Sequence, residues 1–170
     1  MPLSGTLLAV NGFAELTSAL DLGTGKAAQT LSRRMSLANG TAAGQADRVF
    51  SDRRTLAASA TEDLDLAGVL LDAFGAAITF ARIKGLIIAA ATANTNNVVV
   101  GAAATNPWAT LLSATGTVTL RPGAFLAVGT GQADATGYAV TAATADLLKV
   151  ANSAAGSSVT YDIHIIGASA

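Results

Sequence analysis

The last apolar segment of the chain constrains the fold most. Across Val159–Ile165 (VTYDIHI) apolar and polar residues alternate. In a strand this period of two places the apolar side chains on one face and the polar ones on the other, so the segment predicts a half-buried strand. Similar short runs recur roughly every 10 residues between Gly, Asn, Ser and Thr turns, without a long amphipathic helix pattern. The chain is therefore predicted to be all-β, with a β-sandwich of jelly-roll-like arrangement, although the strand pattern alone does not distinguish a sandwich from a barrel.

Turn signals place some of the connections. Arg121-Pro122-Gly123 predicts a tight turn, because Pro fixes φ at its second position and Gly accepts a positive φ at its third. Asn11-Gly12 lies between the apolar runs 7–10 and 13–16 and predicts a short N-terminal hairpin with a type I′ turn. A second such dipeptide, Asn39-Gly40, predicts another turn.

Charge divides the chain into two parts. Of the 21 charged residues, 14 lie in residues 1–72 and 7 in the longer remainder. The expected organisation is an N-terminal arm or hairpin region over residues 1–46 and a β-sandwich domain over residues 47–170. The sequence leaves open whether the first region folds onto the domain or extends from it.

Composition favours association between chains. Only 12% of the 170 residues are charged and the formal net charge is −1, against about 25% charged residues in an ordinary soluble protein. Such a chain has little charge repulsion between copies, and no global charge that steers it toward nucleic acid or an anionic membrane. The sequence has no Cys, which excludes disulfides and thiolate sites. The N-terminus lacks the basic region of a secretory signal, so we expect the protein in the cytosol. The apolar stretch at about residues 66–91 is interrupted by Asp72, Arg82 and Lys84, so no membrane-spanning segment is expected.

Motifs for small-molecule chemistry are weak. Gly23-Thr24-Gly25-Lys26 resembles part of a phosphate-binding loop, but Leu20 and Ala27 replace the Gly and the Ser or Thr that a Walker A motif requires, so a turn is expected. The acidic residues Glu62, Asp63, Asp65 and Asp72 lack the spacing of a calcium-binding loop. No cofactor, no metal and no catalytic residue is predicted.

His164 is the only histidine and follows Asp162 on the same strand face. A general base acting through these two residues would make a small hydrolase, which we hold as a remote alternative, because no Gly-x-Ser-x-Gly elbow accompanies them. A carbohydrate-binding module is a second remote alternative. One Trp, Trp108, and two Tyr offer little stacking surface for a sugar.

Basic residues cluster in the first third of the chain. Arg outnumbers Lys seven to three, and Arg makes planar, bidentate contacts with carboxylates across interfaces. A partner interface is one interpretation of this cluster, and pairing within the chain with neighbouring Asp and Glu is the other. The candidate interface residues are Arg33, Arg34, Arg48, Arg53 and Arg54.

The longer part of the chain also resembles a known class. Residues 47–170 are similar to small structural proteins in the virions of tailed bacteriophages, through Asn94–Asn97 before Val98–Gly101, through Arg121–Gly123, and through Val159–Ile163 with Ile165–Gly167. These pieces belong to a β scaffold and carry no catalytic motif.

The resemblance implies a non-enzymatic role. Virion proteins of this kind include capsid decoration or cement proteins, β-sandwich modules that commonly form homotrimers and clamp the major capsid protein. We therefore expect a decoration protein on the phage capsid surface that binds the major capsid protein and forms a homotrimer. Before assembly it is expected in the host cytoplasm. A tail- or fibre-associated virion structural protein is the alternative.

Overall fold

The computed structural model describes residues 2–170 and confirms that the chain is all-β. Within these residues no helix is long and apolar enough to cross a membrane. The strands are β1 Thr6–Leu20, β2 Gly23–Asn39, β3 Gln45–Ala46, β4 Arg48–Leu56, β5 Thr61–Asp65, β6 Arg82–Ala90, β7 Val98–Gly101, β8 Thr117–Leu120, β9 Phe125–Gly129, β10 Tyr138–Ala139, β11 Leu147–Asn152 and β12 Val159–Ala168.

Two antiparallel sheets form a β-sandwich. The first sheet has the order β10-β6-β12-β4, with β9 also paired to β6, and the second has the order β5-β11-β7-β8. Between β4 and β12 the chain repeatedly crosses from one sheet to the other. This connectivity resembles that of a jelly roll, which joins two Greek keys, although the jelly-roll assignment itself stays a prediction.

Alternation along the strands builds the core between the sheets. In β12, Tyr161, Ile163 and Ile165 are buried, as the sequence pattern predicts, and in the facing sheet Val98 and Val150 are fully buried. The polar residues of β12 lie on the outer face of the first sheet, where β12 pairs with β4 on one side and β6 on the other. That outer face receives the N-terminal part of the chain.

β1 and β2 form one long antiparallel hairpin, and the predicted position of its turn was wrong. Asn11-Gly12 lies inside β1, opposite Ser32 and Leu31, and the connection is at residues 21–22. The longer pairing places Leu8, Val10 and Leu16 on one face of the hairpin, whereas Leu7 and Phe13 share the other face with Asn11. Asn11 Oδ1 accepts a hydrogen bond from the Ser32 hydroxyl at 2.7 Å. Cross-strand pairing thus overrides the local turn preference.

Two other predicted turns are confirmed. β2 ends at Asn39, and Gly40 has a φ of 139°. At residues 121–124, the Ala124 amide donates to the Arg121 carbonyl at 2.8 Å, and Gly123 has a φ of 77°. Pro and Gly therefore occupy the positions that their backbone preferences indicate.

Candidate functional site

The hairpin is fixed to the sandwich only near its base. Leu8, Met35 and Leu37 pack with Ala46 and with Ile166 of β12 in a second, smaller apolar cluster. Beyond this base, residues 9–34 make no other strand pairing than that between β1 and β2. We call residues 9–34 the arm.

Two glycines of the first sheet make the close approach of the hairpin possible. Gly85 of β6 and Gly129 of β9 are directly paired. A Cβ added at Gly129 would lie 2.8 Å from Leu8 Cδ2, and one added at Gly85 would lie 3.4 Å from both Leu8 Cδ2 and Met35 Cε. The base of the hairpin therefore lies close to the sheet backbone at these two glycines, beside the side chain of Ile166, which fixes where the arm leaves the domain.

The arm has two unlike faces. Directly opposed residues of an antiparallel pair share a face, and the register pairs residue 8 with 35, 10 with 33 and 16 with 27. The face that continues from Leu8 and Met35 is the apolar face of the arm. Its residues are Val10, Gly12, Ala14, Leu16, Ser18 and Leu20 of β1 and Gly23, Gly25, Ala27, Gln29, Leu31 and Arg33 of β2.

The opposite face is mostly polar and is stabilised along its own length. Lys26 Nζ lies 3.2 Å from Glu15 Oε1, and Ser32 bonds to Asn11. Phe13 is the large exception on this face and is 71% exposed. An exposed ion pair of this kind contributes at most about 1 kcal/mol, so the contacts on the polar face add little to the stability of the hairpin.

The apolar face is open to solvent. Leu16 is 67% exposed, and Leu20 and Leu31 are exposed to a similar degree. Three exposed leucines on one face of a hairpin form an apolar surface, although smaller residues separate them, and exposed apolar surfaces of this kind are typical of contact sites for another molecule.

A second group of exposed apolar residues lies in the connection between β5 and β6. Val69, Leu71 and Phe74 are all more than half exposed, and Phe74 is 78% exposed. We call these three residues the connector patch. Asp72 within it is held locally, since its Oδ1 accepts from the amides of Phe74 and Ala76 at 2.9 Å, and these bonds lower the pKa of Asp72.

The structure does not gather the five candidate arginines at one site. Arg33 and Arg34 lie in β2 on opposite faces of the arm, and Arg48, Arg53 and Arg54 lie in β4. The β4 arginines have carboxylate partners in the chain itself, which corresponds to the second interpretation of the cluster. Arg48 lies 3.1 Å from Asp47 Oδ2.

Arg53 and Arg54 differ in their surroundings. Arg53 makes a bidentate pair with Asp162 of the adjacent strand, at 2.6 and 2.9 Å, on an exposed part of the sheet. Arg54 contacts Glu62 Oε2 at 2.7 Å and Asp52 Oδ2 at 2.8 Å. Glu62 also accepts the hydroxyl of the fully buried Tyr161 at 2.7 Å, and together with burial this raises the pKa of Tyr161 well above its ordinary value.

His164 and Asp162 do not form a hydrogen-bonded dyad. Both oxygens of Asp162 accept from Arg53, whose hydrogen bond lowers the pKa of Asp162. His164 lies half-buried on the outer sheet face, next to Ser51 of β4 and Ile87 of β6. Burial lowers the pKa of His164. In this arrangement Asp162 is already occupied and does not orient the imidazole.

The burial of His164 predicts a pH dependence of stability. Because its folded pKa lies below the ordinary value of 6.5, the unfolded chain binds more protons, and stability falls as pH drops below 6.5 toward the folded pKa. We expect thermal midpoints to decrease from pH 7 to pH 5 and His164→Gln to reduce this slope. An unchanged slope would mean that other groups titrate in this range.

The other sequence candidates lie in ordinary structural settings. Gly23 and Lys26 belong to β2 at the far end of the hairpin. Within residues 2–170, no group of three His, Asp or Glu side chains is placed to hold a metal ion. Trp108 is buried, with its indole N–H donating to the Ala139 carbonyl at 2.9 Å, and so does not present a stacking surface to a sugar.

Sequence reasoning missed both exposed apolar surfaces. The signal for the arm was present, because Leu8, Val10, Leu16 and Leu20 share even-numbered positions. The Asn11-Gly12 turn signal divided this pattern into two short strands. The connector patch has no periodic signal, since its residues lie outside regular strands.

Comparisons with known proteins do not indicate a family or a function for this chain. No protein-family model, curated protein or solved structure matches this chain.

Proposed function

We propose that this protein is a structural component of a phage virion, a capsid decoration or cement protein that binds the major capsid protein. The observation that carries the proposal is the presence of large exposed apolar side chains on two separate elements, the arm and the connector patch. A protein that clamps an assembly must contact at least two neighbours. Two such surfaces on one small sandwich meet that requirement.

The rest of the surface is in keeping with a binding role. The chain has few charges, and the arginines of β4 are engaged by carboxylates of the same chain. Attachment would therefore depend mainly on burying apolar surface, which is worth about 25 cal/mol per Å². Contacts that form only on the assembled shell stabilise that shell, because they favour the folded and bound state alone.

Co-sedimentation tests the proposed role. Purified protein is mixed with undecorated phage heads and pelleted, and the copies bound per head are counted from stained gels. Saturation at a fixed ratio to the major capsid protein supports the decoration role. Binding to isolated tails without binding to heads would instead support a tail-associated structural role, and binding to neither would overturn the proposal.

The connector patch provides a specific prediction. We expect Val69→Ser combined with Phe74→Ser to reduce occupancy on heads at least about tenfold, because two large apolar contacts are lost. Thermal unfolding should change little, since both side chains are exposed.

Phe125→Ser is the matched control for that pair. Phe125 is 64% exposed but lies on the first sheet, away from the connector. Equal loss of occupancy in the control and in the double variant would show that the patch has no special part in attachment.

A further inference from the structure

The arm lacks the support that a two-stranded ribbon needs. An isolated hairpin is marginally stable in water unless a third strand or another packed element covers one face. Val10 and Arg33 line a pocket with residues 127–132 of the sandwich, and beyond them the apolar face has no such cover within the described chain. A complementary apolar surface lying against the arm would supply this missing support.

We propose that the apolar face of the arm packs against the same face of the arm of a second copy of this chain, with the two arms antiparallel about a two-fold axis. The inference deepens the proposed assembly role, on which it rests, by naming the partner of the arm. A two-fold contact of this kind is self-complementary, because each copy offers the same patch to the other.

Side-chain size along the arm suits antiparallel packing. On the apolar face, each residue of β1 and its partner in β2 form one row across the arm. When the second arm runs in the opposite direction, the row of Gly12 and Leu31 in one copy lies on the row of Ser18 and Gly25 in the other. The same reversal brings the row that contains Leu16 onto the row that contains Ala14. In these two pairs of rows a leucine meets a smaller side chain, as close packing between faces requires. The third pair brings Val10 and Arg33 onto Leu20 and Gly23, next to the turn at the tip.

Opposite charges at the base and the tip of the arm also favour antiparallel packing. Arg33 lies near the base of the apolar face, and its guanidinium donates to the Ser32 carbonyl at 3.0 Å without a carboxylate partner among residues 2–170. Asp21 lies in the turn at the tip of the arm. Antiparallel packing places the tip of each arm over the base of the other, so that Asp21 of one copy approaches Arg33 of its partner twice per pair.

The area of the contact sets its strength. Twelve residues per strand span about 40 Å, and two strands are about 10 Å wide, so each arm offers about 400 Å² and the pair buries about 800 Å² in total. Stable complexes bury about 1,200–2,000 Å². We therefore expect a weak dimer in dilute solution and a stronger contact where many copies are concentrated on a shell.

The mass of the full chain in solution tests the pairing. Sedimentation equilibrium over a wide range of concentrations should show a shift from 16.8 kDa toward twice that value. We expect Leu16→Asp to lower the association constant at least about tenfold, because a carboxylate would be buried against apolar surface.

Phe13→Asp is the matched control for Leu16→Asp. Phe13 is as exposed as Leu16 and lies on the same arm, but on the opposite face. It should leave the association constant unchanged. Equal loss in the two variants would overturn the assignment of the apolar face.

A charge exchange tests the direction of packing. Arg33→Asp and Asp21→Arg should each weaken association several-fold, and the double variant should restore it, since both intermolecular pairs are then re-formed with reversed sign. Failure of the double variant to recover would overturn the antiparallel arrangement.

The outcomes separate this inference from the proposed function. A monomer at every concentration, or a trimer that survives Leu16→Asp, overturns the arm pairing even if the protein still binds heads. A dimer sensitive to Leu16→Asp that binds neither heads nor tails supports the pairing and overturns the virion role.

Discussion

Replacing Trp108 with alanine is expected to lower the free energy of unfolding by about 3–5 kcal/mol. Trp108 is buried in the long connection between β7 and β8, a segment without regular strands. Its backbone amide donates to the Leu147 carbonyl and its indole N–H to the Ala139 carbonyl, both at 2.9 Å, and its ring meets Tyr138 edge-on with centroids 6.3 Å apart. The side chain therefore holds this connection against β10, while the backbone amide bonds it to β11.

Urea unfolding followed by circular dichroism measures the effect, because the variant lacks the only tryptophan. Phe125→Ala is a suitable control, as it removes an aromatic ring of similar size from an exposed position. Trp108→Phe should recover part of the loss through ring burial but not through the indole hydrogen bond. A change below about 1 kcal/mol for Trp108→Ala would mean that the connection is held without this side chain.

The sequence predicted best those elements whose structure is determined by a short local pattern of residues. The alternation in Val159–Ile165 predicted both the strand and its buried face, and this segment became the centre of the first sheet. The turn at Arg121-Pro122-Gly123 was also predictable, since Pro and Gly each restrict the backbone in a known way. These features depend on neighbouring residues only.

The arm could not be predicted from neighbouring residues. Its turn at residues 21–22 carries no strong signal, whereas the strong signal at Asn11-Gly12 lies within a strand. Which of the two forms the turn depends on pairing over 15 positions of β1 and on the docking of Leu8 and Met35 over Gly85 and Gly129. Such contacts join residues far apart in the sequence, and spacing alone does not reveal them.

The same limit applies to the candidate arginines. Their number and type were visible in the sequence, but their partners were not, because Arg53 pairs with Asp162, which is 109 positions away. Sequence reasoning therefore left interface and intrachain pairing equally open. The structure separates an exposed pair at Arg53 from a partly buried network at Arg54, and the two should respond differently to substitution.

Arg54→Ala is expected to lower the free energy of unfolding by about 2 kcal/mol, whereas Arg53→Ala should leave the unfolding midpoint nearly unchanged. Arg54 satisfies Glu62, a largely buried carboxylate that also accepts the hydroxyl of the buried Tyr161. Removing the guanidinium leaves this carboxylate without its cation, and an uncompensated charge away from water is costly. Arg53 and Asp162 lie in solvent, where an ion pair contributes little.

A double-mutant cycle between Arg54 and Glu62 isolates the cause. If the cost of Arg54→Ala comes from the unpaired carboxylate, the same substitution should cost less in a Glu62→Gln background, with a coupling of about 1 kcal/mol or more. Arg54→Met keeps the apolar part of the side chain and should be as destabilising as Arg54→Ala if charge, and not packing, is responsible. Equal costs of Arg54→Ala in both backgrounds would instead assign the effect to lost packing of the arginine stem.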